Sequence, residues 1–419
     1  MTHLASSFVR PAARSSRLPA VSPLVVSSCF LLSSASCFCF NRVQLFSWTV
    51  LTLLAMNSNS SFLSLETFRG AIEKAIEQRQ RTYTHAAAIS FRWEVDNTHA
   101  VEDVKAFQNI MRIFGFQPAK EIVISRTDIS PAWTVAGAYR SVLQNCSQLP
   151  GRSIVFVHYA GHGTLIDGSL FIGNSSQKIL SVERVFFGDL IDGSLSMDDS
   201  VDVVFILDCC YSYATTRVVT PVSRVVEVLA ATSENTPAAN PASVRASFSG
   251  ELANELARRK GRGDASVELA EAIEALRGRA SKIKPTHCLR LGSNSIRLCF
   301  PDASENSHLP QMPPSLSAVF SVHLSPTLPQ EEIDKFVAWI LHLPRSVALH
   351  LDSAYQTRST LLIFRSSYSL FSKINGLPGI HFLCETRNPP LDIHGAPKVS
   401  NLQERKQENI PLGIRKRIV

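Results

Sequence analysis

Short, unbroken apolar runs recur through the first three quarters of the chain. Between them lie stretches in which apolar residues return every three or four positions. Val203 to Leu207 run without a polar residue into Asp208, Cys209 and Cys210. Ser153 to Ala160 (SIVFVHYA) has the same design and is closed by Gly161-His162-Gly163. A run of this kind reads as a strand buried on both faces, as in a parallel sheet. Ala86–Trp93, Glu121–Ile124 and Val225–Ala231 read as further strands, with His287–Leu291 at an edge. The spacing predicts helices between them: Val104, Phe107, Met111 and Phe114 form one stripe that Gly115 ends. Pro131–Cys146 opens on a proline, a helix is expected near 180–190, and Ser249–Arg259 and Val267–Arg277 follow. Phe68, Ala71, Ile72, Ala75 and Ile76 mark an earlier helix within Phe62–Arg81. Strands alternating with helices imply right-handed crossovers, hence an α/β fold with a doubly wound, mostly parallel sheet.

After residues 301–315, where four prolines suit a linker, the pattern restarts. Ala318–Leu324, Val347–Ala354, Thr360–Phe364 and Ile380–Glu385 read as strands, and Gln330–Leu341 and Tyr368–Ile374 as helices. The order β-α-β-β-α-β is the split, ferredoxin-like arrangement of a small α+β domain. The expected organisation is therefore a leader over 1–60, a helix within 61–83, a main domain over 84–300, a linker, an accessory domain over 316–386 and a disordered tail over 387–419.

Open parallel sheets bind ligands beyond the carboxyl ends of their strands. Two apolar strands here end in reactive groups, His162 after one and Cys209-Cys210 after the other. If the strands are neighbours, a thiol nucleophile and its base meet at one rim. His158 lies four residues before His162, a zinc-binding spacing on a helix. On a strand four residues span ~13 Å, so a core role is the better reading of His158.

Tyr159-Ala160-Gly161-His162-Gly163, followed some fifty residues later by Asp208-Cys209-Cys210-Tyr211-Ser212, resembles the caspase-like cysteine peptidases over roughly residues 84–300. The metacaspase branch and the fungal caspase-domain proteins are nearest in pattern. Metacaspases typically read Tyr-Ser-Gly-His-Gly and Asp-Ser-Cys-His-Ser-Gly, so Ala160, Tyr211 and Tyr213 depart from the pattern. The resemblance implies a cysteine endopeptidase with His162 as the catalytic histidine and Cys210 as the nucleophile. It implies an oxyanion hole from the N–H groups of Gly163 and Cys210. It also implies a pocket for a cationic side chain built from Asp208 and Asp103, hence cleavage after Arg or Lys. Taken alone, Asp103 is a helix-start acid and Asp208 a carboxylate accepting backbone N–H groups. Self-cleavage is expected in the connector after the nucleophile, at Arg217 or Arg224. The alternative is a catalytically silent caspase-like module that serves protein–protein assembly.

Charge and cysteine usage sharpen this picture. The net charge of +7 comes from the ends, because residues 1–56 and residues 386–419 each carry +4. The body is near neutral and offers no basic patch for nucleic acid, so protein or peptide substrates are the expected partners. Nine cysteines without repeating spacing argue against a disulfide framework and for a reducing, cytoplasmic setting. Residues 1–56 hold arginines, serines and two apolar runs, which allow an organellar or membrane-associated alternative; a start at Met56 is the blander reading. No cofactor is expected. Asp189, Asp192, Asp198, Asp199 and Asp202 raise a calcium site as a minor reading, with a solvated loop preferred.

Overall fold

The computed structural model describes residues 62–77, 82–174, 178–188, 200–212, 224–232, 247–280, 283–301, 314–344, 347–356 and 358–387. The leader, most of the proline-rich linker, the tail beyond 387, and Asp189, Asp192, Asp198 and Asp199 lie outside them. No helix among the described residues is long and apolar enough to cross a membrane.

The first unit is built on six strands: β1 (His85–Trp93), β2 (Lys120–Ile124), β3 (Ser153–Ala160), β7 (Val201–Asp208), β8 (Val226–Ala230) and β10 (Thr286–Leu291). They lie in the order β10-β8-β7-β3-β1-β2. All neighbours are parallel except β10, which runs antiparallel to β8 at the edge. Helices cover both faces. On one side Val203, Phe205 and Leu207 pack against α3 (Pro131–Ser147) and a single wide turn at Glu183–Phe187. On the other, Val204 and Ile206 meet α2 (Ala100–Ile113), α4 (Phe248–Arg262) and α5 (Leu269–Arg279). Both faces of β7 are thus covered, which is why its sequence is unbroken rather than alternating.

Two small ribbons were not legible in the sequence. β4 (His162–Ile166), β5 (Ser169–Gly173) and β6 (Ile179–Ser181) form a separate antiparallel sheet, and the expected helix near 180–190 shrinks to the single wide turn. β9 (Ser266–Glu268) pairs with β11 (Arg297–Cys299), so α5 starts at Leu269, two residues later than its periodicity suggests.

The C-terminal unit places β12 (Ser317–Leu324), β13 (His350–Gln356), β14 (Thr360–Ser367) and β15 (Ile380–Thr386) in the antiparallel order β13-β14-β12-β15. With α6 (Gln330–Leu341) and α7 (Tyr368–Ile374) this is the ferredoxin-like arrangement. The N-terminal helix α1 (Leu65–Ile76) packs on it through Phe68, which meets Phe336 and Phe364, and Leu63 bridges to Leu324. The two units share one apolar core that runs from Phe107 and Leu229 to Phe320 and Phe371. Buried polar pairs cross the junction: Glu268 accepts from Lys373 at 2.6 Å, and His287 lies between Glu227 and Ser372.

Asp202, at the start of β7, ties the sheet's lower edge together. It accepts two hydrogen bonds from Arg152 at 2.7 Å, one from Tyr83 at 2.8 Å and one from the Val225 N–H at 2.7 Å. Both of its oxygens are thus engaged in holding the fold. Breaking a buried pair leaves the partner charge poorly solvated. Asp202→Ala is expected to lower the urea midpoint by the equivalent of about 3 kcal/mol. An unchanged midpoint would show that the pair is dispensable.

Candidate active site

The ends of β1, β3 and β7 converge at the carboxyl rim of the sheet. Ala160 pairs with Asp208, and the Gly161 N–H reaches the Asp208 carbonyl at 3.3 Å. The chain turns at Gly161, whose φ of +143° suits glycine, and His162 opens β4. Gly163 presses directly on the other motif. A β-carbon there would overlap the carbonyl oxygen of Cys210 and lie 3.1 Å from the Cys209 sulfur. His162 and Cys210 thus share one rim, each at the end of its own strand. The Tyr159 hydroxyl fixes the histidine turn by donating to the His162 carbonyl at 2.9 Å.

The two cysteines differ sharply. Cys209 is buried, and burial pushes its thiol well above the ordinary value, with further contributions from Cys210 and Asp208. Cys210 is half-exposed, held on a turn in which Tyr211 adopts a left-handed φ of +56°. Below, Ser212 is fully buried and anchors the end of β8 by accepting from the Thr232 N–H at 3.2 Å.

Asp103 and Asp208 meet at the N-terminus of α4. Asp208 accepts from the Ser249 N–H at 2.8 Å and from the Phe248 N–H, while Asp103 accepts from the Ser247 hydroxyl. Burial, and then the charge of Asp208, push the Asp103 carboxyl up to about 7. Burial raises Asp208 as well, against the pull of its helix-end donors. Asp103, buried, and Asp208, partly buried, are thus two mutually repelling carboxyls at the start of α4, and Asp208 lies two residues before Cys210.

His158 is a core residue. Its Nδ1 meets Ser90 at 2.8 Å, its Nε2 meets Ser249 at 3.1 Å, and its ring stacks on Phe107. Burial lowers it to about 3, so it stays neutral. Among the described residues no group of His, Cys, Asp and Glu could hold a metal ion.

Of the two arginines expected in the connector, Arg217 lies outside the described residues. Arg224 corrects the expectation of an exposed site: it is 1% exposed. The Val225 N–H donates to Asp202, which draws the chain into the base of the sheet one residue too early for Arg224 to be offered to a protease.

Sequence reasoning passed over Asp96 and Asn97, in the turn between β1 and α2. Asn97 Oδ1 lies 2.5 Å from His162 Nε2, and Asp96 Oδ1 lies 3.9 Å from it. The Asp-Asn-Thr run before an apolar helical stripe is a helix-start signal that points to these positions without revealing their neighbour. With His162, Gly163 and Thr164, and with Gly173, Asn174 and Ile179 opposite, Asn97 lines a cavity of about 400 Å³.

The family model described as the Peptidase C14 caspase domain matches residues 90–307. No curated protein matches the chain. The family match covers more than half of the chain and spans β3, β7 and the rim between them. With its mostly parallel six-stranded sheet and its His-Gly and Asp-Cys-Cys turns at one edge, the chain belongs to the caspase-domain family of cysteine peptidases.

Proposed function

We propose that the chain is a cysteine-type endopeptidase that cleaves after Arg or Lys. The observation that carries this reading is the pair of mutually repelling carboxyls, Asp103 buried and Asp208 partly buried, the second of them two residues before the half-exposed Cys210. Such a pair disfavours its own second negative charge, and a guanidinium or ammonium group would relieve it. Arg-selective recognition also suits two carboxylates of fixed geometry.

In the proposed reaction the Cys210 thiol gives its proton to His162 and the sulfur attacks the carbonyl carbon of the scissile bond. The resulting oxyanion is held by the N–H groups of Gly163 and Cys210. The histidine then protonates the departing amine, and water hydrolyses the thioester. The contact between Gly163 and Cys210 supports this layout, because any side chain at 163 would push the two apart. The test is a peptide-library cleavage profile of the full chain, with Cys210→Ala as control. Cleavage confined to bonds after Arg or Lys is expected. Cleavage after Asp, or cleavage that persists in Cys210→Ala, would overturn the reading.

A further inference from the structure

We infer that Asp96 and Asn97 are positioning residues for His162: Asn97 fixes the tautomer of the ring, and Asp96 holds the charge the ring gains when it takes the thiol proton. The inference rests on His162 being the proton carrier proposed above.

A carbonyl oxygen only accepts hydrogen bonds. With Asn97 Oδ1 at 2.5 Å, His162 Nε2 must carry the hydrogen. That leaves Nδ1 with the free lone pair, so the ring has one basic nitrogen and its identity is set by Asn97.

Asp96 supplies the second half. Its side chain is 7% exposed. Oδ2 is fully engaged, accepting from the Thr98 N–H at 3.1 Å, the Thr98 hydroxyl at 2.6 Å and the Ala100 N–H at 3.2 Å. Oδ1 is buried and accepts no hydrogen bond. A buried carboxylate oxygen left unsatisfied is costly in a folded chain. Its neighbour explains it: Oδ1 lies 3.9 Å from His162 Nε2, the nitrogen on which the imidazolium charge is shared. Gly161 borders the same oxygen: a β-carbon there would stand 3.8 Å from it, an ordinary contact, but only 2.7 Å from the Tyr159 hydroxyl.

The other groups that face His162 do not supply that charge. Tyr159 and Cys209 are both buried and held neutral, because burial pushes their pKa values well above the ordinary range. Asp208 and Cys210 stand on the β7 side, and Asp208 is engaged by the α4 N-terminus. β5 and β6 bring Gly173, Asn174 and Ile179, which carry no charge. Asp96 is thus the carboxylate placed beside Nε2 of the ring.

The test is an NMR titration of the His162 ring in the full chain, in a Cys210→Ala background that prevents autolysis, together with kinetics in the Cys210 form. Asp96→Asn keeps an amide oxygen for Thr98 and Ala100 and removes only the charge. It is expected to lower the His162 titration midpoint by about one pH unit, a tenfold change in proton affinity. Asn97→Ala is expected to let the neutral ring populate both tautomers, read from its nitrogen shifts. Thr98→Val takes away one donor to the same carboxylate and should lower stability without moving the titration. In the Cys210 form, Asp96→Asn should lower kcat about tenfold with KM little changed. An unmoved midpoint in Asp96→Asn, or an unchanged tautomer ratio in Asn97→Ala, overturns the inference, whatever happens to turnover. Should the wild type cleave no peptide, the peptidase reading falls, and the titration still decides whether these residues set the ring.

Discussion

Cys210→Ala is expected to abolish peptide cleavage, with kcat/KM reduced at least ~1,000-fold, while Cys209→Ala retains most of it. The two sulfurs are adjacent in sequence, so only their surroundings separate them. The nucleophile must be a thiolate or become one during attack, and a free thiol sits near ~8.5. Cys209 is 2% exposed, lies under Gly163 among apolar side chains, and has its acidity pushed far from neutrality by burial. A substrate carbonyl has no path to it. Cys210 stands half-exposed on the turn that follows, at the rim with His162. Cys209→Ala removes a small buried group and should cost about 1 kcal/mol of stability, visible in the urea midpoint and not in catalysis. Mass spectrometry after brief alkylation of the native protein supplies a second readout, with the label expected on Cys210. Equal loss of activity in the two variants, or label on Cys209, would place the nucleophile on the wrong sulfur here.

Asp103→Asn is expected to stabilise the empty protein at pH 8 and to weaken cleavage after Arg by about 100-fold or more, the equivalent of ~3–5 kcal/mol for a lost pocket charge pair. The sign follows from proton binding. The unfolded carboxyl titrates near ~3.9, whereas the folded one is pushed up to about 7 by burial and by Asp208. Between those values the folded state keeps a proton that the unfolded state has lost, so stability falls as pH rises and the full penalty is present above 7. The amide carries no such penalty, so Asp103→Asn should gain on the order of 2–4 kcal/mol at pH 8 and nothing below about pH 4. Substrate binding works in the opposite direction. A cationic side chain beside the two carboxyls favours the charged pair, so protons compete with it, and KM for Arg peptides should rise as pH drops below 7 in the wild type. Urea unfolding at pH 4 and pH 8, with kcat/KM for Arg peptides, tests both halves. A variant that is less stable at pH 8, or that cleaves after Arg as well as the wild type does, removes the acidic pair as the specificity determinant.

The sheet and its helices were legible in the sequence because burial on both faces forces an unbroken apolar run, as in Val203–Leu207, and burial on one face forces a 3.6-residue period, as in Val104, Phe107 and Met111. Gln330–Leu341 and Tyr368–Ile374 begin and end as their patterns indicate. The two motifs could be placed at strand ends for the same reason. Short ribbons such as β4–β6 and the β9–β11 pair escaped, since three to five residues carry too little periodicity to separate a strand from a loop. β9 and β11 find each other across some thirty residues, whereas β4 and β5 are joined by the two-residue Asp167-Gly168 turn, whose positive φ angles mark a hairpin.

What the sequence by itself determined is local: which segments are strands and helices, and that a histidine and a pair of cysteines end two buried strands. Tertiary structure decided everything that depends on who stands beside whom. It separated Cys209 from Cys210 by burial, brought Asp103 from α2 against Asp208 at the end of β7, and set Asp96 and Asn97 beside His162. It also turned Arg224, which reads as a connector residue, into a buried one, because the Val225 N–H finds its acceptor in Asp202. Acidity, tautomer and accessibility are properties of an environment, and a linear order of residues does not contain the environment until parallel strands bring their ends to one rim.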